Sequence, residues 1–394
     1  MNFDVVIIGA STAGLYAGEC LARGGKKVAV LERQKELKPA RRTLIVTRLL
    51  RKVLGTLPDD MILHKIDVMA VATSNRELTI PLKDPDLIVE RASLIDWLAS
   101  KFESAGGKLF LDHRFEGFKQ TGDGLDILLE TARGESIVAA KEAVIGADGL
   151  FSKVARAAGI ARPKSVPIVQ AEVALPAGWD PSVVKVWFDA EETRFFFWLI
   201  PESSSKGVVG LVGDHGLQTR ESLKTFLADH DLEPETYQAA QVALYSPRLK
   251  PWTRIGSTRV YLVGDAAGQV KVSTVGGTVS GFLGAQAAAS ALLNGRSYRA
   301  HCWRLKRELN VHWLLRRLLD RLNNQGYDQL ANTVSFKVRN FLSQYDRDSM
   351  DPVIWRLPIL EPRLFKVAWK CLRGKPSSRK LPKRPNRMVL PEMD

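Results

Sequence analysis

The chain has 394 residues, of which 45% are hydrophobic and 25% are charged, and it carries a net charge of +14. This composition excludes a disordered or collagen-like chain, and the length allows two or three domains with a sizeable core. The charge is concentrated at one end: from Arg296 onward there are 22 lysine and arginine residues against 9 acidic ones, which accounts for +13 of the total. The first 295 residues are therefore close to neutral.

The cysteine content and the hydropathy pattern predict the cellular compartment of the protein. Cys20, Cys302 and Cys371 are too few and too scattered for a disulfide framework or a CxxC metal site, so we expect a reduced, cytoplasmic environment and no metal. We find no secretory signal pattern, and residues 272–295 contain no charged residue but five glycines and many alanines. This composition favours a buried helix against a cofactor over a membrane span. We predict a soluble protein, or one peripheral at the membrane surface.

The first predicted elements form a strand, a glycine turn, a helix and a second strand. Residues 4–8, Asp-Val-Val-Ile-Ile, contain a short apolar β-branched run, as in a parallel strand that is buried on both faces, and Glu32 directly follows the second strand at residues 27–31. The turn follows the GxGxxG pattern with Ser11 in place of the middle glycine. In the Rossmann arrangement the helix start binds a pyrophosphate and the acid binds a ribose hydroxyl. We predict a dinucleotide site formed by Gly9, Ser11, Thr12, Ala13, Gly14, Glu32 and Arg33.

Two later strands each end in an acidic turn. Residues 143–149 contain the first of these turns, and residues 259–268 contain the second, ahead of the uncharged helix. An aspartate at the end of a strand can bind a ribityl hydroxyl, while the amides of a neighbouring helix start face a flavin ring. Either turn alone is equally consistent with a hairpin, but the order of all three motifs predicts FAD. The residues assigned to it here are Asp148, Asp265, Gly276, Gly277 and Thr278.

Over residues 1–370 the chain resembles the FAD-dependent oxidoreductases related to aromatic hydroxylases, and most closely the geranylgeranyl reductase family. Residues 264–271, Gly-Asp-Ala-Ala-Gly-Gln-Val-Lys, are similar to that family's third motif. The resemblance implies the FAD contacts named above and adds Arg91 as a pyrophosphate contact. It also places Arg42 in a loop near the flavin, where the reductases often carry a cysteine-glycine element that this chain lacks.

The resemblance implies an α/β fold, with a Rossmann-type FAD-binding domain, an inserted antiparallel β-sheet substrate domain and a helical C-terminal region. We expect the FAD-binding domain in residues 1–165 and again in 246–298, and the substrate domain in 166–245. A basic helical region then covers 299–373, and a flexible basic tail covers 374–394.

The predicted substrate domain has strand patterns rich in aromatic and β-branched residues, at 183–188 and 195–201. Alternation places Phe196, Trp198 and Ile200 on one face of the second strand, and we predict that they line the substrate cavity. Aromatic residues also point to the opposite face. Either one face lines a lipid tunnel, or the sheet is covered on both sides.

The basic end of the chain has leucines at helical spacing over 299–322 and a second helical pattern over 362–372. We expect His301 and His312 to be surface residues of the first helix. The charge is consistent with a solvated face, with an anionic membrane or with an acidic electron-carrier protein. No nucleic-acid-binding module is recognisable, so we expect no nucleic acid partner.

The resemblance implies an FAD-dependent oxidoreductase that reduces carbon–carbon double bonds of a prenyl lipid or isoprenoid chain. The alternatives are an FAD-dependent monooxygenase of a hydrophobic substrate, a polyene cyclase and a non-catalytic flavoprotein. A halogenase is a further one, because Phe196-x-Trp198-x-Ile200-Pro201 is similar to the WxWxIP motif of those enzymes, although the sequence does not place the lysine that they need. There is no second glycine-rich nucleotide motif, so NAD(P)H and a ferredoxin-type carrier both stay open as electron donors. No catalytic residue is predicted.

Overall fold

The computed structural model describes residues 1–37, 42–122 and 124–364. The strands are β1 (Asn2–Ile8), β2 (Val28–Leu31), β3 (Thr43–Val46), β4 (Ile62–Ala72), β5 (Glu77–Glu90), β6 (Lys108–Phe110), β7 (Arg114–Thr121), β8 (Gly124–Thr131), β9 (Gly134–Gly146), β10 (Lys164–Ala174), β11 (Val183–Trp187), β12 (Phe197–Pro201), β13 (Lys206–Val212), β14 (Pro234–Leu244), β15 (Trp252–Ile255) and β16 (Thr258–Leu262). The helices are α1 (Thr12–Arg23), α2 (Leu49–Leu54), α3 (Arg91–Ser104), α4 (Lys153–Ala157), α5 (Gly216–Asp229), α6 (Thr278–Leu293), α7 (Tyr298–His301), α8 (Trp303–Leu319), α9 (Asn324–Thr333), α10 (Phe336–Leu342) and α11 (Asp351–Leu360). The predicted tail at 374–394 and most of the predicted helix at 362–372 lie outside the described residues.

The first sheet has the strand order β15-β16-β9-β1-β2-β6, with the β7–β8 hairpin joined to β9. β1 is central and parallel to both neighbours: Val5 lies opposite Val28 on one side and Ala143 on the other. Helices α1, α3 and α6 contribute to the apolar core on one face of the sheet. The continuous apolar run of β1 follows from this burial on both faces, and the predicted Rossmann-type domain is confirmed.

The second sheet has the order β14-β10-β13-β12-β11-β4-β5-β3 and is antiparallel except where β11 pairs with β4. Three of its strands, β3 to β5, come from residues 43–90, ahead of the segment that was predicted to form it. These strands were not predicted because β5 carries two prolines and many charged residues, a pattern that does not identify a sheet strand. The segment boundaries given above remain predictions.

The uncharged stretch forms α6, which packs against α1 and is buried along most of its length. Alanines such as Ala285, Ala288 and Ala291 allow this close approach and leave no side-chain surface exposed. Within residues 1–37, 42–122 and 124–364, no helix has the length and apolarity needed to cross a membrane.

The predicted helix at 299–322 is interrupted at Cys302, which ends α7 and precedes α8. Leu305 and Leu309 of α8 pack with Tyr245 and Val272, so the leucine spacing marks a face that is buried in the protein. The prediction that His312 is a surface residue was wrong: it is only 1% exposed because it lies on this inward face. His301 is half-buried.

Candidate functional site

A cavity of about 390 Å³ extends from the carboxyl ends of the parallel strands to the inner face of the second sheet. It brings together residues from every predicted motif, although these lie far apart in the chain. The predicted site residues that line it are Ser11, Thr12, Ala13, Arg42, Arg91, Phe196, Trp198, Ile200, Asp265, Gly276, Gly277 and Thr278. Gly9, Gly14, Glu32, Arg33 and Asp148 are not part of its lining.

The first glycine turn has the geometry that the motif requires. Gly9 has a φ of +103°, and a Cβ atom on Gly14 would lie 2.2 Å from the carbonyl oxygen of Gly9. Ser11 has an extended backbone, and its Oγ accepts a hydrogen bond from Gly14 N at 3.2 Å, which caps α1. The serine therefore replaces the middle glycine without strain, because its side chain turns back to the helix. Thr12 and Ala13, in the first turn of α1, face the cavity.

The predicted ribose-binding acid holds the glycine turn. Glu32 accepts a hydrogen bond from the backbone amide of Ala10 through Oε2 at 2.9 Å, and from that of Gln34 through Oε1 at 3.1 Å. Arg33, directly after it, is exposed. Glu32 thus fixes the turn relative to the end of β2, and its contact with a ribose stays a prediction.

The two acidic turns differ in what surrounds their carboxylates. Asp148 accepts hydrogen bonds from Ser152 Oγ at 2.6 Å and from Val154 N at 3.1 Å, so it binds the start of α4. Burial raises its pKa, and these hydrogen bonds oppose the rise. Asp265 is exposed because it faces the cavity, although protein surrounds it on its other sides. Burial raises the pKa of Asp265 as well, and the opposing influence there is the charge of Arg42 and Arg91.

These two arginines line the same cavity as the start of α1. Arg91 begins α3 and donates its backbone N–H to the carbonyl oxygen of Arg42 at 3.1 Å. Burial lowers the pKa of Arg91, and the neighbouring charge of Arg42 lowers it further. Two guanidinium groups and a helix N-terminus form a donor set that suits a diphosphate, while Asp265 suits a hydroxyl donor. The residues present therefore fit FAD.

Two buried residues that the sequence analysis missed support the Asp265 turn. Gln269 Oε1 accepts a hydrogen bond from Gly264 N at 2.7 Å, and its Nε2 donates to Tyr298 Oη at 3.0 Å. Tyr298 in turn donates to the carbonyl oxygen of Leu262 at 2.9 Å. Gly284 leaves the space, since a Cβ atom there would lie 1.9 Å from Gln269 Oε1. The only sign of this hydrogen-bond network in the sequence was a single glutamine, Gln269, among small apolar residues.

The loop at 271–277, which precedes α6, is attached to the C-terminal region by an ion pair. Lys271 pairs with Asp348, and both side chains are buried. Asp348 also accepts a hydrogen bond from Thr47 Oγ1 at 2.7 Å. The attraction of Lys271 keeps the pKa of Asp348 low in spite of its burial. Three distant segments therefore meet beside the glycines at 276 and 277.

A Ser-His-Glu arrangement, which the sequence did not indicate, fixes the same loop. His312 Nδ1 lies 2.5 Å from Ser273 Oγ, and its Nε2 lies 3.2 Å from Glu308 Oε1. Burial lowers the pKa of His312, so the neutral ring accepts from the serine and donates to the glutamate. Ser273 is not among the residues that line the cavity. The arrangement therefore positions the loop through α8.

Val275, in the middle of this loop, has a φ of +55° and lines the cavity. A β-branched residue rarely adopts this conformation, because its side chain crowds the backbone. Its side chain packs with the cluster that contains Phe196 and Trp198. The strained residue thus connects the loop before α6 to the aromatic wall of the second sheet.

The aromatic strand separates two environments. Phe196 and Trp198 line the cavity with their ring centroids 6.1 Å apart. Phe197 points to the opposite face and stacks on Phe226 of α5 at 4.4 Å. One face of the strand therefore lines the cavity and α5 covers the other, and the use of the cavity as a lipid tunnel stays a prediction.

The family model described as "FAD binding domain" matches residues 2–294. The geranylgeranyl diphosphate reductase of Rhodobacter capsulatus is 27% identical over 302 residues, which cover 74% of this chain and 75% of that protein. The digeranylgeranylglycerophospholipid reductase 1 of Methanothermobacter thermautotrophicus is 30% identical over 316 residues, covering 74% and 78%.

Solved structures show the same fold. A geranylgeranyl bacteriochlorophyll reductase-like protein from Thermoplasma acidophilum matches with a TM-score of 0.81 at 18% identity and covers 94% of this chain and 99% of that one. A flavin-dependent brominase matches with a TM-score of 0.68 at 19% identity and covers 93% and 100%.

Proposed function

The chain belongs to the FAD-binding-domain flavoproteins and, within them, to the geranylgeranyl reductase family, and we propose that it reduces carbon–carbon double bonds of a prenyl chain. One observation carries the proposal: a single cavity joins the residues that fit FAD to an apolar wall formed by Val184, Val186, Phe196, Trp198 and Ile200. An isoprenoid chain is apolar along its length, so a wall of this kind binds it and excludes water.

In this proposal the diphosphate of FAD binds at Thr12 and Ala13 of α1 and between Arg42 and Arg91. Asp265 accepts a ribityl hydroxyl. Gly276, Gly277 and Thr278, at the start of α6, would hold the isoalloxazine ring, and Glu32 and Arg33 would hold the adenosine ribose. FAD supplies hydride chemistry when it is bound and reduced.

The residues of the chain orient the alkene and exclude water. An isolated alkene has no electron sink, so a proton must reach its second carbon nearly together with the hydride. The inner wall contributes one polar pair, in which Gln170 Nε2 donates to Gln238 Oε1 at 2.9 Å. This pair is a polar position in an otherwise apolar wall, and we infer that it faces a polar group of the substrate.

Halogenation and oxygenation are the alternatives for a fold of this kind, and the brominase is among the structural neighbours. Within the described residues, the cavity lining includes Arg42, Arg91 and Arg347 but no lysine. Since the halogenases need a lysine at their site, the lining favours reduction over halogenation, while the mass of the product separates reduction from oxygenation.

The test is anaerobic turnover by the FAD-loaded protein, with dithionite as reductant and geranylgeranyl diphosphate as substrate. We expect product masses two units heavier for each double bond reduced. A product that forms only with oxygen and is sixteen units heavier would replace this proposal with a monooxygenase. An unchanged mass with a rearranged skeleton would replace it with a cyclase.

We further infer that the protein is cytoplasmic and that its basic C-terminal region meets a partner, an anionic membrane or an acidic electron carrier. The low cysteine content supports the compartment. Stopped-flow bleaching of the bound flavin, with NADPH in one arm and a reduced ferredoxin in the other, identifies the electron donor. If the donor is the carrier protein, we expect flavin bleaching to be faster with the reduced ferredoxin than with NADPH at low salt. This difference in rate should disappear at high salt, because salt screens the attraction between the charged protein surfaces.

A further inference from the structure

The solvent-facing side of α11 carries large apolar side chains. Trp355 is 68% exposed and Ile359 79% exposed, one helical turn apart, and Leu360 lies beside them. On the opposite side of the helix Val353 is fully buried. A helix at a protein surface normally directs its polar side to water, so this orientation needs a partner.

Helix α10 packs against α11 and extends the same kind of surface. Phe336, at its start, is 73% exposed, while Val338 is buried beneath it. The guanidinium group of Arg339 lies 6.0 Å from the ring of Phe336, and Lys337 is exposed beside it. Aromatic and basic side chains therefore alternate at this end of the molecule.

The acidic residues of the same region are neutralised by ion pairs. Asp346 pairs with Arg48, Asp348 with Lys271, Asp351 with Arg307, and Glu361 with Arg363. Among the described residues, Lys337 and Arg356 have no ion-pair partner, although Arg356 donates to Tyr345 Oη at 2.6 Å. The surface that faces solvent therefore presents uncompensated positive charge around exposed apolar side chains.

We propose that α10 and α11 form a membrane-docking surface, in which Phe336, Trp355 and Ile359 enter the head-group region of an anionic lipid layer and Lys337 and Arg356 bind lipid phosphates. A lipid layer provides both hydrocarbon and phosphate, which matches the mixture on this surface. An acidic protein would match the cations but would have to cover four large apolar side chains.

The position of the surface links it to the cavity. The segment between α10 and α11 supplies Arg347, which lines the cavity and pairs with Asp86. It also supplies Asp348, the partner of the buried Lys271. A lipid layer at α10 and α11 would therefore lie next to the cavity wall. The inference depends on the proposed function only in that this position gives a prenyl lipid a short route to the site.

The experiment uses the full-length, FAD-loaded protein and two kinds of vesicle, phosphatidylcholine alone and phosphatidylcholine with phosphatidylglycerol. We expect co-sedimentation with the anionic vesicles at low salt and weak binding to the neutral ones. The double variant Trp355→Ser/Ile359→Ser should lose about ten-fold in partitioning, since both removed side chains are apolar. The matched control is Leu217→Ser on α5, which is 70% exposed on another element and should bind like the unaltered protein.

Three results would overturn the proposal. The unaltered protein could fail to bind anionic vesicles, or the double variant could bind as well as the control. The double variant could also keep vesicle binding and instead lose binding to a ferredoxin-type protein.

Flavin absorbance shows that each variant is folded. Turnover of detergent-dispersed geranylgeranyl diphosphate should be unchanged in the double variant, so failure of the docking surface is distinguishable from failure of the proposed reaction.

Discussion

Asp148 and Asp265 follow neighbouring parallel strands, β9 and β16, and the sequence assigns both to FAD. Their surroundings differ because different segments follow them. After Asp148 the chain turns within four residues to Ser152 and α4, whose amide and hydroxyl groups bind the carboxylate. After Asp265 a short 3-10 turn and a loop intervene before α6, and the carboxylate faces the cavity. An acid at a strand end is thus available to a ligand only where no helix start lies close enough to bind it.

The largest expected effect is on FAD affinity. Asp265→Ala should weaken FAD binding by about 2 kcal/mol, on the order of thirty-fold in Kd, because it removes an acceptor for a ribityl hydroxyl. Asp148→Ala should change Kd much less. Fluorescence titration of the apoprotein with FAD measures both. Equal losses in the two variants would contradict the distinction, and Asp265→Asn, which keeps an acceptor oxygen, should retain most of the affinity.

Stability should show the opposite order. Asp148→Ala should lower the free energy of unfolding of the apoprotein by about 2 kcal/mol, because it leaves the start of α4 without its carboxylate acceptor. Asp265→Ala should leave stability unchanged or raise it, since a carboxylate with a raised pKa is removed. Urea unfolding followed by circular dichroism gives both values. A stable Asp148→Ala protein would show that α4 does not depend on the aspartate.

The support beneath Asp265 should have a smaller effect. Tyr298→Phe removes the hydroxyl that joins Gln269 to Leu262, and we expect a loss of about 1 kcal/mol, or roughly five-fold in FAD affinity. Tyr327→Phe is the matched control, since Tyr327 Oη donates to the carbonyl oxygen of Leu319 away from the FAD residues. If both variants bind FAD equally, the Tyr298 hydroxyl does not position the turn.

A third carboxyl group extends the comparison to the second sheet. Burial, with the nearby carboxylates of Glu172 and Glu90, raises the pKa of Glu202 to about 7. The folded state therefore binds a proton more tightly than the unfolded state, and this contribution to stability is lost as pH rises from about 4.5 to 7.

Glu202→Gln should remove that dependence, with a gain in unfolding free energy on the order of 1 kcal/mol at pH 8 relative to the unaltered protein, after allowance for solvent screening. Urea unfolding at pH 5 and pH 8 measures the change. The same difference between the two proteins at both pH values would contradict the raised pKa.

The sequence places the excess positive charge in the C-terminal region, but some of these basic side chains are buried in the folded protein. Arg316, on α8, is buried and donates to Asp320 and to the carbonyl oxygen of Arg194. Its guanidinium group lies 5.1 Å from the centre of the Phe195 ring. The excess charge predicted for α8 is therefore partly structural.

The sequence by itself determined the local features. The strand, turn and helix from β1 to α1 follow from residues that are neighbours in the chain, because Gly9 and Gly14 meet steric conditions that their own turn imposes. The aromatic wall at Phe196 and Trp198 was predictable because spacing along one strand decides which side chains share a face. FAD was predictable from the order of the three motifs and from the family resemblance.

Tertiary structure alone decided which distant residues meet. Ser273 and His312 are 39 positions apart, and Thr47 and Asp348 are 301 apart. No local pattern specifies such pairs, because they form only when α8 and the segment before α11 pack against the cavity loop. The same packing directs Asp148 to a helix start and leaves Asp265 open to the cavity. Two aspartates at the ends of neighbouring parallel strands therefore have different surroundings, because the fold places different segments beside them.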